Sequence, residues 1–338
     1  MALFDPPAHA SRSQLQDGFG RRFSYLRLSL TERCNFRCTY CLPQGFKAQK
    51  TLPAELSRDE IRRAATAFAS LGLWKVRLTG GEATVRTDFI EIASEIAQVE
   101  GIRHLAMTTN GYRLEREVEI WRAAGIDAIN VSIDTLDPHR FAEVTGFDNL
   151  GGIVKGVDKA LGAGFAAVKI NSVLLRGLEE SGWTDVLEFV AHRDISWRFI
   201  ELMRTNDNSR FHQRQATPGD LVRERLETAG WSLLARREGA GPACEYAHPD
   251  YRGRIGLIAP YAGGFCDSCN RLRLSSRGKL HLCLFGSEGL DLRALLQRDD
   301  QMDELVSRIR LAMPAKMRGH RLAEGDSGAT PHLASIGS

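Results

Sequence analysis

The sequence lacks several features that would place it in other classes of protein. It contains no run of eighteen apolar residues, and its first twenty residues hold no apolar core of the kind that a signal peptide needs. We therefore expect no membrane partner and a cytoplasmic location. The 45 basic and 42 acidic residues give a formal net charge of +3 and form no basic run. Nucleic-acid surfaces usually show such a run, so we expect no nucleic-acid partner either.

Cysteine is scarce, with seven in 338 residues, and the total is odd. In a reducing compartment, close-set cysteines are more often metal or catalytic ligands than disulfides. Six of the seven fall into two groups, which we call the first trio (Cys34, Cys38 and Cys41) and the second trio (Cys266, Cys269 and Cys283). Cys244 has no partner at ligand spacing, and we expect a half-buried thiol there.

Strand-like and helix-like segments alternate along most of the chain. The six strand-like segments span residues 23–30, 74–79, 103–109, 127–133, 166–173 and 197–202. A helix follows the first strand, with a capping box from Ser57 to Glu60 and an end at Gly72. This alternation predicts an α/β fold, a partial (β/α)6 TIM-like barrel. After about residue 215 the pattern changes to short β-like segments, which predicts a smaller C-terminal cluster-binding extension.

We divide the chain into four regions on this basis. Residues 1–22 and 317–338 are rich in small and polar residues without periodicity, and we expect both to be flexible. Residues 23–215 form the predicted barrel, and residues 216–316 form the C-terminal region that carries the second trio. The unusual residues follow the strands directly, at the strand ends where barrel enzymes keep their active sites.

The first trio has the spacing C-x3-C-x2-C, and its soft thiolates suit zinc or an iron–sulfur cluster. A structural zinc site needs four ligands, and no fourth cysteine or histidine lies nearby. A 4Fe–4S cluster with one open iron position is the natural interpretation, with a zinc knuckle or a chance cysteine loop as the alternative. For the second trio, Cys244, His248 or His281 could complete a zinc ribbon, and spacing alone does not decide.

Basic residues alternate with apolar ones inside several predicted strands. They are Arg27, Lys75, Arg77, Lys169, Arg271 and Arg273. Barrel strands bury both faces, so we expect these cations to point inward and to meet an anion. A triphosphate suits the set, because arginine forks match phosphate oxygens. The alternative is pairing with interior carboxylates such as Glu82 or Glu201.

The motifs CNFRCTYC and GGE resemble the signature of the radical S-adenosylmethionine (SAM) superfamily. Seven segments, from LRLSLTERCNFRCTYCLP to the second trio, resemble the GTP 3′,8-cyclase family over about residues 27–283. The resemblance implies a 4Fe–4S cluster on the first trio, reductive cleavage of SAM, and hydrogen abstraction from GTP by a 5′-deoxyadenosyl radical. It also implies a second 4Fe–4S cluster on the second trio that touches the purine. The product would be (8S)-3′,8-cyclo-7,8-dihydroguanosine 5′-triphosphate, in the first step of molybdenum cofactor biosynthesis.

The resemblance also implies roles for individual residues. SAM would contact Tyr40, Gly81, Glu82, Ser132 and Met203. GTP would contact Arg27, Arg77, Thr108, Lys169, Arg271 and Arg273, and the catalytic set would be the first trio with Arg77. The family pattern commonly has proline at Ala83, proline and glycine at Arg204 and Asn206, and a second terminal glycine at Ser338. That two-glycine end enters the active site in the family.

The resemblance implies three partners besides GTP: an electron donor, the next enzyme of the pathway (cyclic pyranopterin monophosphate synthase) by product hand-off, and a second copy of the chain in a possible homodimer. Two other functions compete with this interpretation. A radical SAM peptide-modifying enzyme would commonly carry more C-terminal cysteines than the four found here. A non-catalytic iron–sulfur sensor would not need the GGE motif or an anion-binding interior.

Overall fold

A computed structural model describes residues 14–47, 53–177, 180–236, 239–286, 289–330 and 332–337 of the chain. Six strands, β1 to β6, pair in parallel in the order of the sequence. They are Tyr25–Ser29, Lys75–Thr79, His104–Thr109, Ala128–Ser132, Ala167–Leu174 and Ser196–Glu201. The predicted α/β architecture is therefore confirmed, and the described strands form an open sheet rather than a closed barrel.

Helices connect the strands and cover the outer face of the sheet. The nine α-helices of the described residues, α1 to α9, are Arg58–Ser70, Phe89–Ala97, Leu114–Ala123, Pro138–Thr145, Leu150–Gly162, Glu180–Ala191, Ser209–Gln215, Asp220–Thr228 and Met302–Ala312. The capping box of α1 is confirmed: the Ser57 side chain accepts from the amide of Glu60, whose carboxylate accepts from the amide of Ser57. The helix ends at Ser70, two residues before the predicted end at Gly72, where a φ of +87° suits a residue without Cβ.

The C-terminal region does not form a sheet of its own. Its strands β7 to β12 are Ser232–Leu233, Cys244–Ala247, Arg254–Ile258, Arg271–Leu274, Lys279–His281 and Leu290–Asp291. β9 pairs in parallel with β6, and β10 pairs in parallel with β1. The extension therefore widens the barrel sheet at both edges and produces one twelve-stranded sheet.

The described parts of both expected flexible segments are packed against the barrel. Leu15 is buried, and its backbone exchanges hydrogen bonds with Leu71 and Phe23. In the tail, Leu333, Ala334 and Ile336 are buried. Residues 14–22 and the described tail therefore both bury apolar side chains, and their expected flexibility stays a prediction. Residues 1–13, 331 and 338 lie outside the described residues.

Apolar side chains fill the space between the sheet and the helices. Leu26 and Leu28 of β1 are fully buried on that outer face, whereas Arg27 lies on the opposite, inward face. Among the described residues, no helix combines the length and the apolar character that crossing a bilayer requires.

Candidate active site

The first trio lies on the loop that follows β1, and its three thiols are close enough to influence one another. Burial raises the pKa of Cys34 to about 11 and that of Cys41 to about 12, and it raises the pKa of Cys38 as well. The Cys34 sulfur accepts from the amide of Phe36 at 3.4 Å. A cation or cluster would have to displace the thiol protons, since metal ligands bind as thiolates.

The GGE motif packs directly against this cysteine loop. The Gly81 amide donates to the Thr31 carbonyl at 2.8 Å, and the Glu82 amide donates to the Arg33 carbonyl at 2.8 Å. A Cβ at Gly81 would lie 2.4 Å from the Arg33 oxygen. Glycine is therefore needed here because two backbones meet, a reason that the sequence alone did not reveal.

The two carboxylates that could have neutralised the strand cations are engaged elsewhere. Glu82 accepts from the hydroxyls of Thr84 and Thr109 and from the amide of Asn110. Glu201 accepts from the amides at residues 219 and 261. Burial raises the pKa of Glu82 despite these bonds. Both side chains hold loops together at the strand ends, so the alternative partners for the cations are already occupied.

The other residues expected near SAM surround the cysteine loop. The Tyr40 hydroxyl donates to Asp134 at 2.8 Å, and burial raises the pKa of Asp134 to about 6. The Asn208 side chain donates to the Met203 carbonyl at 3.0 Å and approaches the Tyr40 carbonyl at 3.5 Å. These contacts connect the loop after β6 to the first trio.

Two buried amide oxygens on inward-facing side chains have no hydrogen-bond partner within the described part of the chain. They belong to Asn130 and Asn171. Register places Asn171 beside Ser132 and Asn130 beside Lys169. Buried polar atoms are normally hydrogen-bonded, so the two oxygens mark a space that suits a ligand with donors of its own.

The inward cations meet in one interior region, as their alternation predicted. Arg77 is buried and donates to the Met107 carbonyl at 2.7 Å, to the Tyr25 hydroxyl, and to Thr108 at 3.5 Å. Burial, and then the charges of Arg198, Arg77 and Lys75, hold the pKa of Lys169 well below its usual range. Such a crowded set of like charges favours an anionic ligand.

Arg198 belongs to the same region, although the sequence reasoning did not include it. It forms an ion pair with Glu245 at 2.5 Å. The signal was available, because Arg198 alternates with Trp197 and Phe199, which are buried on the outer face. Tyr25, two residues before Arg27, was missed in the same way.

The C-terminal tail reaches this region. The Gly337 carbonyl accepts from Arg273 at 2.6 Å and from Arg27 at 3.4 Å. Gly337 has a φ of +67°, and a Cβ there would lie 2.1 Å from the Thr79 hydroxyl oxygen. Only glycine fits this position without movement of its neighbours. The Ala334 amide donates to the Cys41 sulfur, so the tail contacts the first trio as well.

One departure from the family pattern, Asn206, contacts the same tail, and a second, Arg204, contacts Tyr261. The Asn206 side chain accepts from the Ser327 hydroxyl at 2.9 Å, and its amide donates to the Thr330 carbonyl at 3.4 Å. The Arg204 amide donates to the Tyr261 hydroxyl at 2.9 Å. Ala83, the third departure, is buried and begins a 3-10 turn.

The second trio lies beside the extension strands and the start of the tail. Burial would raise the pKa of Cys269, but Arg271 and Lys316 together lower it to about 7. The main-chain amide of His320 donates to the Cys266 sulfur. Lys316 is buried and donates to the Leu282 carbonyl. Positive groups therefore favour a thiolate at Cys269, which fits a bound metal centre.

Each candidate fourth ligand of a zinc ribbon has other contacts or is exposed. His248 packs against Trp231 and Tyr251, and His281 pairs in register with Arg273. Cys244 is exposed, so the expectation of a half-buried thiol is wrong: it begins β8, near the edge of the sheet.

Within the described residues, no group of three His, Cys, Asp or Glu side chains is placed to hold a metal ion. A cubane cluster spreads its thiolates more widely than one ion does, so this finding leaves the cluster prediction open. The donor chemistry, three soft thiolates at each trio, fits a 4Fe–4S cluster.

Solved structures of similar fold were found. One is Streptococcus suis SuiB bound to S-adenosylmethionine, with a TM-score of 0.57 and 13% identity over 84% of this chain and 68% of that chain. Another is SuiB bound to the precursor peptide SuiA, with a TM-score of 0.56 and 14% identity over 92% and 74% of the two chains. At these identities the likeness concerns the fold alone, so it does not favour the peptide-modifying alternative.

A parallel α/β sheet with a three-cysteine loop after its first strand defines a radical SAM protein, and the family profile "Radical SAM superfamily" matches residues 28–190. The profile "Molybdenum Cofactor Synthesis C" matches residues 195–322. The GTP 3′,8-cyclase of Haemophilus influenzae (strain 86-028NP) is 48% identical over 332 residues, 98% of each chain. That of Stenotrophomonas maltophilia (strain K279a) is 52% identical over 325 residues, 96% of this chain and 99% of its own. The chain belongs to the GTP 3′,8-cyclase family.

Proposed function

We propose that the chain converts GTP to (8S)-3′,8-cyclo-7,8-dihydroguanosine 5′-triphosphate, as the radical SAM enzyme that opens molybdenum cofactor biosynthesis. The observation that carries this proposal is the cation-lined interior, which the C-terminal tail connects to the first trio and Arg271 connects to the second. Kinship to GTP 3′,8-cyclases over nearly the whole chain supports the same activity.

The first trio is proposed to hold a 4Fe–4S cluster, with SAM beside it. When bound, the two supply the radical that abstracts a hydrogen from the substrate. Tyr40, Gly81, Glu82, Ser132 and Met203 would surround SAM. The unpartnered amide oxygen beside Ser132 supports this placement, because SAM brings amino and hydroxyl donors. Glu82 would act by fixing the loop, since its carboxylate is bonded to neighbouring strand ends.

The phosphates of GTP are proposed to lie against Arg27, Arg77 and Lys169. Arg77 is oriented by the Met107 carbonyl, so its remaining donors can face a phosphate without losing that support. Thr108 adjoins Arg77 and would add a hydroxyl donor. The contribution of these side chains is positioning, which holds the ribose where hydrogen transfer can occur.

The second trio is proposed to hold a second 4Fe–4S cluster that contacts the purine. Its support is chemical: three thiols lie together, and the pKa of Cys269 is lowered to about 7 by Arg271 and Lys316 against the effect of burial. Arg271 and Arg273 lie on β10, between the second and third cysteines of this trio in the sequence. Contacts from these two arginines would bring the guanine end of the substrate near the C-terminal extension.

We further propose the partners that the family resemblance implies. They are an electron donor, cyclic pyranopterin monophosphate synthase as the recipient of the product, and a second copy of the chain in a homodimer. We also propose a cytoplasmic location, where a reducing environment suits the free thiols.

Anaerobic reconstitution followed by incubation with SAM, reductant and each nucleoside triphosphate tests the proposal. The protein should hold about eight irons as two cubane clusters. Of the nucleoside triphosphates, it should cyclise only GTP. Replacing the first trio with alanine should halve the iron and end SAM cleavage. Stoichiometric zinc on the second trio after anaerobic purification would overturn the assignment of the second cluster while leaving the first intact.

A further inference from the structure

Tyr25 is a buried phenol among the inward cations. The family resemblance implies no role for it, and the proposed reaction does not use it. It lies two residues before Arg27 on β1 and therefore on the same inward face. Only 4% of the surface of this residue is exposed to solvent. Register places Lys75 of β2 on one side of it and Arg271 of β10 on the other.

The contacts of the Tyr25 hydroxyl are those of a hydrogen-bond acceptor. Arg77 donates to the oxygen through Nε. The Lys75 ammonium lies 5.0 Å from the ring centroid, over its face. Across the described residues the oxygen donates no hydrogen bond of its own. A neutral phenol in this position would direct its O–H proton toward cations, whereas a phenolate oxygen can only accept hydrogen bonds.

The charged groups next to Tyr25 are cations, and an anion at this position would balance them. Arg27 extends from its own strand, Lys75 and Arg77 from β2, and Arg271 with Arg273 from β10; Arg198 of β6 also interacts with it electrostatically. His104 of β3, next to Lys75 in register, stays neutral because burial and these cations lower its pKa to about 3. The carboxylate of Glu245 is paired with Arg198.

Burial alone would raise the pKa of Tyr25. The positive charges of Arg77, Arg27 and Lys75, with the hydrogen bond from Arg77, together lower it to about 6. The charge balance and the hydrogen-bond geometry therefore agree on an ionised phenol at neutral pH.

We propose that Tyr25 is the internal counter-anion of the nucleotide-free site, and that it takes up one proton from solvent when a triphosphate replaces it as the partner of Arg77 and its neighbours. Tyr25 is thus a positioning residue, which keeps Arg77 extended in the absence of substrate. This inference rests on the proposed placement of the GTP phosphates. No bond other than the O–H bond of the phenol is formed or broken.

Proton uptake gives GTP affinity a pH dependence of defined sign. The free site is ionised at Tyr25 above about pH 6, and bound phosphates raise the pKa of the phenol, so binding weakens as pH rises. The loss approaches about tenfold per pH unit while the bound phenol stays protonated. The γ-phosphate of GTP titrates in the same interval, so the comparison must be made between variants with the same ligand.

The test uses the anaerobic holoenzyme and measures GTP binding by calorimetry from pH 6 to 8, in buffers of different ionisation enthalpy. The ratio of the parental dissociation constant to that of Tyr25→Phe should rise by about ten- to a hundredfold across this range. The parent should also take up close to one proton more than the variant at pH 7.5. Tyr246→Phe, which removes another buried phenol, should follow the parent. Equal proton uptake in the parent and in Tyr25→Phe overturns the inference.

A second measurement covers the case in which Tyr25→Phe does not fold. Replacing all tyrosines with 3-fluorotyrosine makes each phenol more acidic, so the pH dependence of GTP affinity should shift to lower pH. An unshifted profile overturns the inference. Lys169→Ala separates the two claims: if it binds GTP like the parent, the phosphate placement fails; if it binds weakly while Tyr25→Phe leaves the pH dependence unchanged, only the role of Tyr25 fails.

Discussion

Replacing Lys169 with methionine should weaken GTP binding while making the nucleotide-free protein more stable. Lys169 lies inward on β5, beside Asn130 on one strand and Ser196 on the other. In the part of the chain that the structure describes, its ammonium has no ion pair and no hydrogen bond. Methionine keeps most of the side chain's volume and removes only the charge.

The size of the binding effect follows from the type of contact. A hydrogen bond to a charged group contributes about 1.5–3 kcal/mol, so the dissociation constant for GTP should rise by about ten- to a hundredfold. The stability effect has the opposite sign. Burial and the neighbouring cations lower the pKa of Lys169, which means that the charged form costs folding free energy at neutral pH. Removing the charge should therefore raise the Tm of the nucleotide-free protein.

The assay compares Lys169→Met with Lys155→Met, an identical substitution at an exposed position on α5. Anaerobic calorimetry gives the dissociation constants for GTP and SAM, and thermal scans give Tm without nucleotide. Only Lys169→Met should lose GTP affinity and gain stability, and SAM affinity should be unchanged in both. If Lys169→Met binds GTP like the control and loses SAM affinity instead, our placement of the two ligands is reversed.

Three further predictions concern the tail and the GGE turn. Deleting Gly337 and Ser338 should abolish GTP cyclisation while leaving both clusters and reductive SAM cleavage, because Arg27 and Arg273 lose the carbonyl that they share; cyclisation at the parental rate would contradict this. Ser338→Gly should match or exceed the parent in the same cyclisation assay, and a large loss of rate would refute that expectation. Gly81→Ala should lower the iron content by about half, since its Cβ would lie 2.4 Å from the Arg33 oxygen and push the cysteine loop away. Full iron loading with normal SAM cleavage would show that the loop tolerates the methyl group.

Periodicity predicted the six barrel strands closely because each is a local pattern with a buried outer face. The capping box from Ser57 to Glu60 was equally readable, since it depends on residues three apart. What periodicity could not supply is the pairing of distant segments. Nothing in the local pattern says that β10 lies beside β1 or that β9 lies beside β6, because these contacts join residues far apart in the sequence.

The candidate site, too, could be predicted from the sequence only in part. Spacing singled out both trios, and alternation singled out most inward cations. The sequence did not show that Gly81 is required by the backbone of the cysteine loop, or that Glu82 is already bonded to neighbouring strands. It also gave no reason to select Tyr25, because a tyrosine at the start of a strand is ordinary until the cations around it are placed.

The shared sheet determines how the molecule can be cut and recombined. The two family profiles meet between residues 190 and 195, just before β6, yet strands β10 and β6 of the second half pair with β1 and β5 of the first. A fragment that stops at this junction would expose the edges of β1 and β5 and invite aggregation. The two halves are thus not interchangeable modules: a chimera between relatives must exchange the barrel and its flanking strands together, and an insertion is best tolerated away from these two seams.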